Sequence, residues 1–228
     1  MSIGVQNRGR RIRTATVTSV RDVNRSILLN LIRLEQPISR AELSERTGMF
    51  RSNVSFIVEE LLQDGMLLEE RPLHSGRGRV PTHLRLNDDA YPVLGVYIQP
   101  SRVRVVHAGL QGRLKQRWLF DMVQEPGYFV LTLGRVIEKI RQELGINHFK
   151  RLGIAFPGLV NAETGQIIWS PELPQFSGYS LGEQVERHTG ISTRVDNDSN
   201  LGALSELRFM ESEQPRLPLN FVFLSIGE

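Results

Sequence analysis

The sequence predicts an N-terminal winged helix-turn-helix head joined to an α/β body, and three observations carry that expectation. Between residues 24 and 65, apolar residues recur at helical spacing in three short runs separated by turn signals. From residue 93 onward, short strand-like apolar runs alternate with longer helical ones. The charge divides at the same place: residues 1–86 hold 14 Arg, no Lys and 9 acidic residues, net +5, whereas residues 87–228 hold 14 Lys plus Arg against 16 acidic residues, net −2. The expected organisation is a disordered basic arm over 1–23, the head over 24–86 and the body over 87–228.

In the head, Ile27, Leu28, Leu31, Ile32 and Leu34 fall mostly at helical spacing before Glu35-Gln36-Pro37 breaks the pattern. Ser39-Arg40-Ala41-Glu42 then forms a capping box, in which the serine hydroxyl accepts an orphan amide and the glutamate reaches back. The second helix is short, with Ala41 and Leu43 turned inward, and ends at Thr47-Gly48. A third helix starts near Arg51, places Val54, Ile57, Val58, Leu61 and Leu62 on one face, and closes at Asp64-Gly65.

Two short helices joined by a glycine-containing turn make a helix-turn-helix, whose later helix enters the major groove of DNA. Arg51, Ser52, Asn53, Ser55 and Phe56 are left off its apolar face. Arginine and asparagine can read guanine and adenine bidentately, and free amides at a helix start attract phosphate. Arg40, at the start of the second helix, is a further candidate contact. Met66–Glu70 and Thr82–Leu86 read as two strands around Gly76-Arg77-Gly78-Arg79, a wing whose Arg77 and Arg79 could reach a narrow minor groove. A flexible basic linker fits the same residues equally well. Arg8, Arg10, Arg11 and Arg13 would add non-specific phosphate attraction.

The body opens with three strands, Val93–Ile98, Val103–Ala108 and Leu114–Phe120, joined by tight turns. A helix over Val130–Leu144, a buried strand Leu152–Phe156 ending in Pro157-Gly158, a helix over Leu181–His188 and a strand over Thr193–Val195 follow. After Asp196-Asn197-Asp198-Ser199-Asn200 come a helix over Leu201–Glu211 and an apolar strand Phe221–Ile226. This order implies a mixed sheet with helical cover. The five histidines show no short-spaced pairing and read as surface or loop residues, so no metal site is expected, and Trp118 and Trp169 read as packing residues.

Composition excludes several classes. An apolar fraction of 40% is too high for a wholly disordered chain. No run approaches the roughly 18 apolar residues of a membrane span, and the N-terminal residues lack the apolar core of a secretory signal. With no cysteine there can be no disulfide or thiolate metal site. The expectation is a cytoplasmic protein with no membrane partner and no cofactor.

The helix-turn-helix at Thr47–Ser55, the hairpin at Ser75–Pro81, Phe156-Pro157-Gly158, Thr164-Gly165, Ser170-Pro171 and Asp196–Asn200 followed by Ser205-Glu206 together resemble the repressor/ORF/kinase (ROK) family. The resemblance spans about residues 24–228. It implies that the body is the first lobe of an actin-like (ribonuclease H-like) sugar-kinase fold. It also implies a sugar-responsive transcriptional repressor of carbohydrate metabolism, a homo-oligomer acting on a double-stranded operator, with a sugar or sugar phosphate as effector. Pro157, Gly158, Asn197 and Asp198 match the family's sugar-binding positions, Asp198 at the place of the catalytic base. A helix N-cap cluster also accounts for residues 196–200.

Two departures set the expectation against catalysis. Where family kinases carry an Asp-x-Gly-Gly-Thr phosphate loop, this sequence has Tyr97-Ile98-Gln99-Pro100-Ser101-Arg102, without glycine or acid and with a proline that removes an amide donor. The sequence also stops at Leu224–Glu228, where the family's second lobe follows, with its zinc cluster and much of its dimer interface. The expected function is therefore a regulator and not an enzyme. The alternatives are an ATP-dependent sugar kinase with an accessory head, and a truncated constitutive DNA binder.

Overall fold

The computed structural model describes residues 17–70, 82–213 and 221–224. In the head, α1 (Val17–Glu35), α2 (Arg40–Thr47) and α3 (Arg51–Gln63) pack on a three-stranded sheet of β1 (Ile38–Ser39), β2 (Leu67–Glu70) and β3 (His83–Leu86). The strand order is β1-β3-β2, with both pairings antiparallel. Leu28, Ile32, Leu43, Val54, Val58, Leu61 and Leu84 are fully buried and form one core.

Helix α1 corrects the expected arm boundary, because residues 17–23 are already helical. Apolar spacing missed these turns because charge holds them: Arg21 pairs with Glu60 and Arg25 with Asp64, both acids lying on or just after α3, while Val20 and Val23 stay exposed. The remaining arm, 1–16, lies outside the described residues. At α2 the capping box is present, with Ser39 Oγ accepting from the Glu42 amide at 3.3 Å and the Ser39 amide donating to Glu42 Oε2 at 2.8 Å. Ala41 is exposed, not inward; two residues apart on a helix differ by about 200°, so it cannot share a face with the buried Leu43.

The body holds a five-stranded sheet made of β4 (Val93–Ile98), β5 (Arg102–Ala108), β6 (Leu114–Asp121), β7 (Arg151–Phe156) and β10 (Thr193–Asn197). Its order is β10-β7-β4-β5-β6: β4, β5 and β6 form an antiparallel meander, while β4, β7 and β10 run parallel. Helix α4 (Pro126–Leu144) begins where Glu125 accepts from the Gly127 and Tyr128 amides, with Pro126 pre-set at the first helical position. Helix α5 (Leu181–Thr189) lies against α4 so closely that His188 fills the space a side chain at Gly134 would need. A small hairpin, β8 (Leu159–Asn161) with β9 (Gln166–Trp169), sits between β7 and α5, and α6 (Asp198–Glu213) follows β10.

Three expectations are corrected in the body. Phe221–Leu224 forms no strand; Phe223 instead packs on Gly202 of α6, and Val222 and Leu224 are exposed. His107 is not a surface residue but a buried one on β5, edge-on to Phe149 at 5.9 Å between ring centroids. Trp169 is not a packing residue: it is 58% exposed at the end of the two-stranded β8–β9 hairpin.

Candidate nucleic-acid interface and ligand cleft

The buried residues of α3, Val54, Ile57, Val58 and Leu61, fix the helix's roll and leave Arg51, Ser52, Asn53, Ser55 and Phe56 outward. Among the described residues, the side chains of Arg51, Ser52, Asn53 and Ser55 have no hydrogen-bond or ion-pair partner. The helix also starts without a side-chain cap at Phe50, so its first amides remain available to an anion. Phe56, 58% exposed, lies under the guanidinium of Arg21 at 5.2 Å from the ring centroid. One turn further, Glu59 and Glu60 would repel phosphate. Arg40 lies 3.8 Å from Glu59 and also hydrogen-bonds Glu69, and Arg21 pairs with Glu60. Arg40 is thus engaged in neutralising acids, unlike the free Arg51. Arg77 and Arg79 lie outside the described residues.

The second site follows from sheet topology. Strands β4, β7 and β10 run parallel, so the segments after their carboxyl ends meet at one edge, where open α/β sheets bind ligands. Gln99-Pro100-Ser101 after β4, Pro157-Gly158 after β7 and Asp198-Ser199-Asn200 after β10 line one open cleft of about 1210 Å³. Pro157, Gly158, Asn197 and Asp198 are therefore all brought together. Gly158 adopts φ +154, and a Cβ there would stand 2.6 Å from the Trp169 carbonyl, so the position requires glycine. Buried Ser170 secures this turn: its hydroxyl donates to the Pro157 carbonyl at 2.6 Å and accepts from the Leu173 amide at 3.1 Å.

Asn197 is a bracket. Its Nδ2 donates to the Gly158 carbonyl at 2.9 Å and to Asp198 Oδ1 at 3.1 Å, while its Oδ1 accepts from the Asn200 amide at 3.0 Å. Asp198 Oδ1 also accepts from the Ser199 amide at 2.8 Å. The helix-capping reading of these residues therefore holds in geometry, and it leaves Asp198 Oδ2 directed at no described partner in the cleft wall. Tyr97, Trp169 and Glu172 also line the cleft and are not singled out as ligand positions by any motif. Burial, and then the Asp198 carboxylate, hold the Tyr97 phenol above its ordinary pKa, so it stays a hydroxyl donor. Among the described residues no group of three or more His, Cys, Asp or Glu is arranged to hold a metal, and no helix is long and apolar enough to cross a membrane.

Residues 126–228 match the ROK family. The chain is 26% identical over 203 residues to a putative xylose repressor from Caldicellulosiruptor sp., covering 83% of this chain and 48% of that protein. It is 25% identical over 212 residues to the DNA-binding transcriptional repressor Mlc of Escherichia coli, covering 88% of this chain and 50% of the other. The chain thus spans about half the length of these curated relatives. Among solved structures, a ROK family transcriptional regulator, a homologue of E. coli Mlc, superposes with a TM-score of 0.73 at 24% identity, over 85% of this chain and 50% of that one. That likeness shows the fold.

Proposed function

We propose, from the match of residues 126–228 to the ROK family, that the chain is a DNA-binding transcriptional repressor of carbohydrate metabolism and not an enzyme. In this reading the head is a winged helix that reads an operator, and the body is the first lobe of an actin-like fold that senses a sugar. The observation that carries it is the first two turns of α3, where Arg51, Ser52, Asn53 and Ser55 stand outward and unpartnered while the acids beyond them are neutralised from neighbouring helices. Arg51 and Asn53 take base edges, Ser52 and Ser55 take phosphates or bases, and Phe56 packs on the groove wall. Arg77 and Arg79 add wing contacts. Two half-sites one helical turn apart imply two copies of the chain on one operator.

Helix α6 supplies the route from sensing to reading. It begins at Asn197 and Asp198 in the cleft, and near its other end Arg208 lines a groove with Ser26, Ile27, Asn30 and Arg33 of α1. A ligand that shifts the Asn197 bracket therefore shifts a rod whose far end shares a groove with the head. Selection of genomic fragments by purified protein at about physiological salt tests the function, because salt sets the non-specific background. A recurrent motif of two half-sites is expected. No enrichment above charge-driven background overturns the proposal.

The kinase reading is favoured by one observation, the outward Asp198 carboxylate, which could act as base toward a sugar hydroxyl. Against it, the β4–β5 turn is a poor phosphate cradle: Pro100 has no amide, and the Gln99 amide is spent on the Arg102 carbonyl at 2.9 Å. ATP-dependent phosphorylation of a hexose by the chain, abolished by Asp198→Asn, would establish the kinase instead.

A further inference from the structure

A helix N-cap favours Ser, Thr, Asp, Asn or Gly, and large apolar residues are poor there because they leave the first amides unserved. Helices α2 and α4 are capped by the side chains of Ser39 and Glu125. Helix α3 instead begins at Phe50, which makes no side-chain cap and is 80% exposed, the most exposed aromatic side chain among the described residues. A lone exposed apolar side chain is ordinary on a protein surface. Phe50 is set apart by how firmly its backbone is held. Gly48 takes φ +70 after α2, the Met49 amide donates to Thr47 Oγ1 at 3.3 Å, and the Met49 carbonyl accepts from Ser44 Oγ at 2.7 Å. The Met49 side chain packs on the head core, and the Phe50 carbonyl accepts from the Val54 amide at 3.1 Å. A fixed turn therefore presents the ring outward, at the cost of the cap.

We infer that Phe50 reads a thymine of the operator, its ring packing on the 5-methyl group in the major groove. The inference rests on the reading of α3 as the helix that enters the groove, and it deepens that reading by naming a base. The N-terminal residues of a recognition helix are the ones that reach base edges, and an apolar side chain among them meets the apolar group that the major groove displays, the thymine methyl. Phe50 directly precedes Arg51, Ser52 and Asn53, which are exposed on the first turn of α3. The Arg51 guanidinium and the uncapped amides suit the phosphates that flank such a base, so ring and charge address one stretch of duplex. The uncapped start is then a specificity device: a capping side chain at this position would stabilise α3 and forfeit the apolar contact.

The test uses the full chain to select duplexes from a synthetic random library at about physiological salt. The tightest duplex is then remade with deoxyuridine in place of each thymidine in turn, which deletes only the methyl group. At one position or more the unaltered chain should bind about fourfold more weakly, as expected for one buried methyl group. Phe50→Ala should bind the parent duplex more weakly by a similar factor and lose its sensitivity to uracil there, while Phe50→Leu keeps part of it. Phe50→Asn should raise the thermal midpoint by supplying the missing cap and yet abolish the uracil sensitivity, a split that a merely structural residue would not give. The same uracil profile in the unaltered chain and in Phe50→Ala overturns the thymine inference and leaves the DNA reading standing. A Phe50→Ala loss equal on selected and random duplexes also overturns it, making Phe50 a backbone contact. A library in which no duplex is enriched overturns both.

Discussion

Ser170→Ala is a substitution of one oxygen atom whose cost can be worked from the structure. The side chain is fully buried, and its hydroxyl joins two backbone groups that meet no other described partner, the Pro157 carbonyl at 2.6 Å and the Leu173 amide at 3.1 Å. Alanine leaves both groups buried and unpaired, at about 1–3 kcal/mol each, and shared relaxation places the total near 2–4 kcal/mol. With a urea m-value of about 2 kcal/mol/M, the unfolding midpoint of the body should fall by roughly 1–2 M. Intrinsic fluorescence reads this directly, because Trp169 adjoins Ser170 in the sequence and Trp118 lies on β6 of the same body. Ser177→Ala serves as the control. That hydroxyl is exposed and accepts only the Ser170 amide at 3.2 Å, so its loss should cost less than about 1 kcal/mol. A Ser170→Ala midpoint within about 0.3 M of the unaltered chain would refute the account of how the Pro157-Gly158 turn is held.

Arg51→Ala should cost about 1–3 kcal/mol on a specific operator and little on random DNA; an equal loss on both would make Arg51 a phosphate anchor. Arg40→Ala should weaken specific and random binding alike, by about threefold, because it uncovers Glu59 beside the DNA, and the added change Glu59→Gln should restore binding. A DNA-binding titration of the double variant checks this, and failure to restore would make Arg40 a direct contact. Burial first, and then Lys115, hold the His107 imidazole below its ordinary value of 6.5, with Asp88 and Asp89 opposing, so the folded chain keeps it neutral. Its contribution is intact above about pH 6.5 and is lost as pH falls from there through the folded value, since only the unfolded chain takes up the proton. Denaturation measured against pH should show that slope in the unaltered chain and lose it in His107→Leu. Arg208→Ala should leave sugar affinity and operator affinity each near their original values while reducing the coupling between them, typically about 1–3 kcal/mol, as read by operator binding with and without sugar.

Much of the fold can be read from the residues because the body's strands are the regular kind. β4 occupies Val93–Ile98 as its apolar alternation predicts, and β5, β6 and β7 differ from expectation by a residue at one end. What escaped is held by something other than apolar period. The first two turns of α1 rest on ion pairs to α3, and β8 and β9 are too short for alternation to register. The hairpin's turn did carry a signal in Asn161-Ala162-Glu163-Thr164-Gly165, where Asn161 Oδ1 accepts from the Glu163 and Thr164 amides and Gly165 takes φ +69.

The cleft divides in the same way, and the division is physical. Pro157-Gly158 and Asn197-Asp198 stand out as short motifs because each must satisfy a local backbone demand: the positive φ of Gly158, and the free amides at the start of α6. Tyr97, Trp169 and Glu172 satisfy none, so nothing in their immediate neighbours marks them. They come together only because β4, β7 and β10 are parallel and the β8–β9 hairpin folds back beside them. Cleft residues that meet no local backbone demand are therefore the ones local sequence hides, and those that meet one are the ones it displays. Asn197 meets two such demands at once: its side-chain amide hydrogen-bonds the turn after β7 on one side and the start of α6 on the other. Asp198 also accepts from the Asn197 side chain, so the pair at the start of α6 is tied both to each other and to the turn after β7.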